Sequence, residues 1–138
     1  MTATAAFSFV SEYPAAAPGD AQRHFLAKLS VETDPADLQL DLQRCPDTVL
    51  VVDARSAKDY TEGHIPGSIS LPHRGITAAT SAALPRDRTL VTYCWGPSCN
   101  ASTRAAARLA SLGFRVKELI GGIEYWRKEG YAVETGAA

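Results

Sequence analysis

Cysteine is scarce, with three residues in a chain of 138. An odd, small number of cysteines does not describe a disulfide scaffold. The expectation is a reducing compartment, with at least one thiol kept for its reactivity. Long hydrophobic runs are missing too: no stretch reaches the ~18 apolar residues of a membrane-crossing helix. The Ala-rich beginning has no Lys or Arg before it. The positive region that opens a secretory signal is therefore absent, and the cytoplasm is the expected location. Nor does charge of one sign dominate, since 14 Lys+Arg stand against 15 Asp+Glu for a net charge of −1. This is neither the basic footprint of a nucleic-acid binder nor a polybasic membrane anchor. No nucleic-acid or membrane partner is expected. What remains is ordinary globular composition, 46% hydrophobic and 21% charged, in a length suited to one domain.

The chain divides into an N-terminal arm over residues 1–18 and a single domain over 19–138 that includes an added N-terminal helix. Pro14, Pro18 and Gly19 punctuate the arm. Phe7, Phe9 and Tyr13 are unusual for a linker. They suggest docking on the domain or on a second subunit of a homo-oligomer, against the alternative of a frayed end. Asp20 to Ser30 reads as a helix with Phe25, Leu26 and Leu29 on one stripe. Asp34-Pro35 is a helix start, with a capping side chain followed by a first-turn proline. That helix carries Leu38, Leu40 and Leu42 and ends near Cys45-Pro46. Val49 to Val52 is a continuous apolar run of the kind buried on both faces of a parallel sheet, and Leu90 to Tyr93 and Val116 to Ile120 are the second and third expected buried runs. Ile69 to Leu71 is a shorter candidate. Ala-rich Ser102 to Leu112 predicts a helix stopped at Gly113. Strands alternating with helices argue for an α/β domain with a mainly parallel sheet.

In such a sheet, reactive groups collect beyond the carboxyl ends of strands. Cys94 follows a strand there, and Trp95, Gly96, Pro97, Ser98, Cys99, Asn100 and Ala101 fill the gap before the helix. The helix N-terminus and successive loop N–H groups favour thiolate over thiol. They also favour a bound anion. Against this stands a Cys94 that is only a small core residue. Cys99 is either a plain loop residue or a second thiol that attacks oxidised or sulfurated Cys94. A zinc site would need Cys94 and Cys99 together with His64, His73 or Cys45. No second pair at ligand spacing follows, so no metal is expected.

Three segments resemble the rhodanese-like superfamily, over roughly residues 31–133. They are Val51-Val52-Asp53-Ala54-Arg55 with Tyr60 and the string Glu62 to Ile69, then Tyr93-Cys94 with its loop and helix, and finally Gly121 to Trp126. The resemblance implies a central parallel sheet of about five strands with helices on both faces. It implies a sulfurtransferase in which Cys94 takes a sulfane sulfur from a donor such as thiosulfate. The persulfide then passes it to a thiol, cyanide or a protein acceptor, so that one transfer is split into two displacements. No cofactor is implied.

Departures from the family pattern are informative. Such enzymes usually have a six-residue loop with Arg after the cysteine. Here Trp95 follows, and with Ser102 opening the helix the loop has eight residues, Cys94 to Ala101, and no Lys or Arg. An anionic donor would depend on backbone N–H groups, Arg104 or Arg74; a bulkier or protein-bound donor is the alternative. The related phosphatase pattern C-x5-R fails, since Asn100 holds the Arg position. Asp53, Arg55 and His64 are supporting candidates. Arg55 would pair with Asp53, Asp59 or Glu62, and His64 would fix a turn. His73 and Arg74 either border the pocket or lie in a solvated loop. Trp95 either lines an acceptor site or packs as a lid, and Gly121-Gly122 lets the chain turn close to the loop. Two rivals to the enzyme remain: a non-catalytic binding or regulatory module of the same fold, and a thiol redox protein cycling Cys94 and Cys99.

Overall fold

The computed structural model describes residues 5–137. The arm's first four residues and Ala138 lie outside the described residues. Helix α1 spans Pro18–Val31, strand β1 Glu32–Thr33, α2 Pro35–Arg44, β2 Val49–Asp53 and α3 Ala57–Glu62. Then come β3 Ile69–Ser70, β4 Thr89–Tyr93, α4 Ala101–Ser111, β5 Val116–Leu119 and α5 Gly122–Lys128. Five strands form one sheet in the order β1-β5-β4-β2-β3, and every pairing is parallel.

The two centre strands explain the apolar runs. Each is hydrogen-bonded on both edges and covered on both faces, so alternate side chains enter different cores. Val49, Val51, Val91 and Tyr93 pack with Leu38 of α2 and Ile123 and Trp126 of α5. On the other face Val52 and Leu90 pack with Ala105 and Leu109 of α4 and with Phe114. Removing a buried Leu such as Leu109 would cost about 2–5 kcal/mol. Asp34 caps α2 by accepting the Asp37 N–H at 2.8 Å, and Gly113 ends α4 with φ +91°.

Three expectations shift. The helix after the cysteine loop starts at Ala101 rather than Ser102, which shortens the loop to Cys94–Asn100. Strand β5 is half-buried over Val116, Lys117 and Glu118. Its outer neighbour β1 has only two residues and α1 shields it little. The stripe of α1 faces solvent: Phe25 is 60% and Leu29 66% exposed, and no residue of this helix is buried. Helical period alone does not bury a stripe, because burial needs a facing surface. Residues 7–17 of the arm are likewise exposed, with the rings of Phe7 and Phe9 edge to face at 5.1 Å.

Candidate active site

Strands β2 and β4 run in register, with Asp53 opposite Tyr93. Both therefore end at one level, and the segments after them emerge side by side. Beyond Tyr93 the chain leaves the sheet as Cys94–Asn100 and re-enters regular structure at Ala101. The first turn of α5 holds this loop. The Ile123 N–H donates to the Cys94 carbonyl at 3.0 Å, and the Glu124 N–H donates to that of Trp95 at 2.9 Å. So close an approach requires Gly122, whose φ is +59° and where any Cβ would collide with the Cys94 carbonyl oxygen. Within the loop the Cys99 N–H donates to the Gly96 carbonyl at 3.1 Å, which folds Cys99 back toward Cys94. The two sulfurs are bonded, across a Cα–Cα distance of 6.3 Å. Cys94 is 2% exposed and Cys99 is half-buried. The amides of the first turn of α4 lack intrahelical acceptors, and the Asn100 side chain does not cap them.

Two cavities meet at the sulfur pair. One, of about 280 Å³, is bounded by Gly96, Pro97 and Ser102, by Gly121-Gly122, and by Lys28, Glu32 and Glu118. The Glu118 carboxylate accepts hydrogen bonds from Ser102 Oγ at 3.0 Å and Thr103 Oγ1 at 2.8 Å. The other, of about 320 Å³, lies between Arg55, Ser56 and Asp59 on one side and His73, Arg74, Trp95 and Ala101 on the other. Both cysteines line both cavities. Burial pushes the His73 imidazole below its ordinary pKa, and the neighbouring cations Arg74, Arg104 and Arg108 add to that depression.

Behind the loop stands a buried polar unit. Arg55 Nη2 meets Asp53 Oδ2 at 2.7 Å with both side chains buried, and it donates to the Gly63 carbonyl at 2.7 Å. Tyr93 Oη donates to Asp53 Oδ2 at 2.7 Å and accepts the Ile65 N–H at 3.2 Å. Burial works against the Arg55 charge, but its bonds to Asp53 and the Asp53 charge outweigh this and hold its pKa above the ordinary value. Burial and the Asp53 charge push the Tyr93 phenol well above its own. The guanidinium also lies 4.4 Å from the centre of the Trp95 ring, whose other parts leave the residue 49% exposed. Arg55 thus ties the strand end to the aromatic beside Cys94. Losing one partner of such a buried pair costs about 3–5 kcal/mol. His64 donates through Nδ1 to the Tyr60 carbonyl at 2.7 Å and stacks on the Tyr60 ring at 3.7 Å, so it fixes a turn.

Most candidates from the sequence converge here. Cys94, Trp95, Gly96, Pro97, Cys99, Ala101, Arg55 and Arg74 line one or both cavities, whereas Ser98, Asn100, Arg104, Asp53 and His64 line neither. Arg104 reaches the site only through its field at His73. Cys45 caps the end of α2 before β2, toward the amino ends of the strands, whereas Cys94 follows the carboxyl end of β4. Among the described residues no three His, Cys, Asp or Glu side chains gather as a metal set. Sequence reasoning missed Lys28, Glu32 and Glu118. Glu118 was discoverable from the carboxyl end of β5; Lys28 and Glu32 carry no local signal, because only packing brings α1 and β1 beside the loop.

A family model described as Rhodanese-like domain matches residues 34–129. The chain belongs to the rhodanese-like family. Its relatives include a sulfurtransferase from Allochromatium vinosum, 38% identical over 66% of this chain and 85% of that protein. A thiosulfate sulfurtransferase from Pseudomonas putida is 36% identical over 75% of this chain and 93% of that protein. A helix-turn-helix transcriptional regulator from Mycobacterium tuberculosis is 38% identical over 64% of this chain, and the match spans 39% of the regulator's length. A solved structure of a Bacillus halodurans protein superposes with a TM-score of 0.84 and 53% identity, over 86% of this chain and 87% of the other.

Proposed function

We propose that the chain is a sulfurtransferase in which reduced Cys94 takes a sulfane sulfur as a persulfide and passes it to a thiol or cyanide acceptor. The observation that carries this reading is the position of Cys94: the end of a central strand, at the meeting point of two cavities, before a helix whose N-terminus has no side-chain cap. Amides and the helix dipole there favour the thiolate and, after attack, the persulfide anion. Arg74 and Arg55 border the second cavity. Arg55 is already paired with Asp53, so Arg74 supplies, for an anionic donor such as thiosulfate, the positive charge that the loop itself lacks. The sulfurtransferase relatives support the same chemistry.

The test is intact-mass analysis of the reduced Cys99→Ser variant, in which no second thiol stands beside Cys94, after incubation with thiosulfate or a thiol persulfide. The expected outcome is an added sulfur that maps to Cys94 and disappears in Cys94→Ser. Sulfur mapped to Cys45, or none at all, ends the proposal. A second reading, a regulatory module, draws on the M. tuberculosis regulator that carries a related segment. A thiol titration separates the two: an unperturbed Cys94 pKa of about 8.5 favours the module, and one clearly below it favours the transferase.

A further inference from the structure

The loop holds its own second thiol against the nucleophile. Cys99 lies five positions after Cys94, and the turn closed by the Cys99 N–H and the Gly96 carbonyl brings it back. The sulfurs bond with the strand ends, α4 and α5 all in their packed positions. The two differ in access: Cys94 is 2% exposed, while Cys99 is half-buried.

We infer that Cys99 is a resolving thiol that converts the Cys94 persulfide into a disulfide and releases the sulfane sulfur as hydrosulfide. This rests on the Cys94 persulfide of the proposed function and names its acceptor. The Cys99 thiolate attacks Cys94 Sγ. The bond between the two cysteine sulfurs forms, the bond from Cys94 Sγ to the terminal sulfur breaks, and its electron pair leaves with HS⁻. The sulfane sulfur is reduced to sulfide by two electrons as the two cysteines are oxidised to the disulfide, so atoms and charge balance. An external acceptor that carries the sulfane sulfur away attacks the terminal sulfur instead; a thiol held beside Cys94 Sγ is placed to attack the inner one.

The product is the disulfide seen here, and a second turnover needs a dithiol reductant. Access decides how that reductant works. Its first thiolate attacks the more exposed Cys99 Sγ, and Cys94 departs as the thiolate that the loop and helix amides favour. The second thiol of the reductant then displaces Cys99. This regenerates the nucleophile first and the resolving thiol second.

The experiment uses the full chain, reduced, freed of reductant without oxygen, and mixed with glutathione persulfide. Wild type, Cys99→Ser and Cys94→Ser are compared by intact mass and by sulfide release. Wild type is expected to lose the mass of two hydrogens and release one equivalent of sulfide, with further release only after dithiothreitol is added. Cys99→Ser is expected to gain one sulfur on Cys94 and keep it, with sulfide release at least tenfold lower; Cys94→Ser does neither. Wild type that keeps an added sulfur without releasing sulfide overturns the resolving role and leaves the persulfide reading standing. Failure of Cys99→Ser to take up sulfur removes the persulfide reading itself, and the resolving step with it.

Discussion

The two cavities beside Cys94 share the same two sulfurs but differ in the balance of charge around them. The first is faced by the carboxylates of Glu32 and Glu118 with Lys28; the second by Arg74, His73, the Asp53-paired Arg55 and Asp59, together with the Trp95 ring. Part of the difference comes from which strand end contributes each wall. The segments after β2 and β3 supply Arg55 and Arg74, whereas β5 and β1 supply Glu118 and Glu32. Two entrances to one nucleophile can thus discriminate by charge without any charged residue in the loop. On this reading an anionic donor arrives through the second cavity.

The largest effect is expected where both cavities depend on one residue. Gly122→Ala introduces a Cβ against the Cys94 carbonyl at φ +59°. The strain should cost about 1–3 kcal/mol of stability. Displacing the loop should slow sulfur uptake on the order of 10²-fold. Urea unfolding and single-turnover kinetics read the two quantities separately, and normal uptake would mean that the loop does not need the α5 clamp. A smaller effect separates the cavities. Arg74→Glu should lower kcat/KM for thiosulfate about tenfold, whereas Glu118→Gln should change it by less than about threefold, as charge changes near a solvated rim do. Equal effects would erase the distinction between the two entrances.

The smallest effect is a titration. His73 is held below its ordinary 6.5 by burial and by three arginines, so Arg74→Ala should move its pKa upward in an NMR titration. The sign for stability follows. The unfolded chain takes up the proton near 6.5 and the folded chain only at lower pH. Stability is therefore lost as pH falls from about 6.5 toward the folded pKa. His73→Gln should flatten that slope in unfolding curves; an unchanged slope would place the titration elsewhere.

Much of the fold was legible because its signals are local. The runs at Val49 and Leu90 become centre strands, Asp34 caps α2 as its side chain allows, and Gly113 stops α4. Cys94 was legible for the same reason: strand, loop and helix N-terminus are contiguous. The stripe on α1 was read correctly as a helix, but the period says nothing about what faces it, and Phe25 and Leu29 stay exposed. Arg104 looked like the nearest cation along the chain, yet it lines neither cavity, because a helix residue is near a site only if its face points there. Lys28, Glu32 and Glu118 were invisible for the converse reason.

Chain order alone determined that Cys94 stands between a strand end and a helix start, and that the sheet is parallel α/β, because hydrophobic runs, caps and glycines act over a few residues through bond geometry and solvent exclusion. Only the tertiary structure decided that Cys99 turns back onto Cys94, that the Arg55–Asp53 pair lies against Trp95, and that Glu32 and Glu118 stand on one side of the sulfur pair and Arg74 on the other. Those contacts join residues far apart in sequence, or depend on a turn held from outside by α5. Their energy comes from burial and charge pairing that exist only once the strands lie side by side.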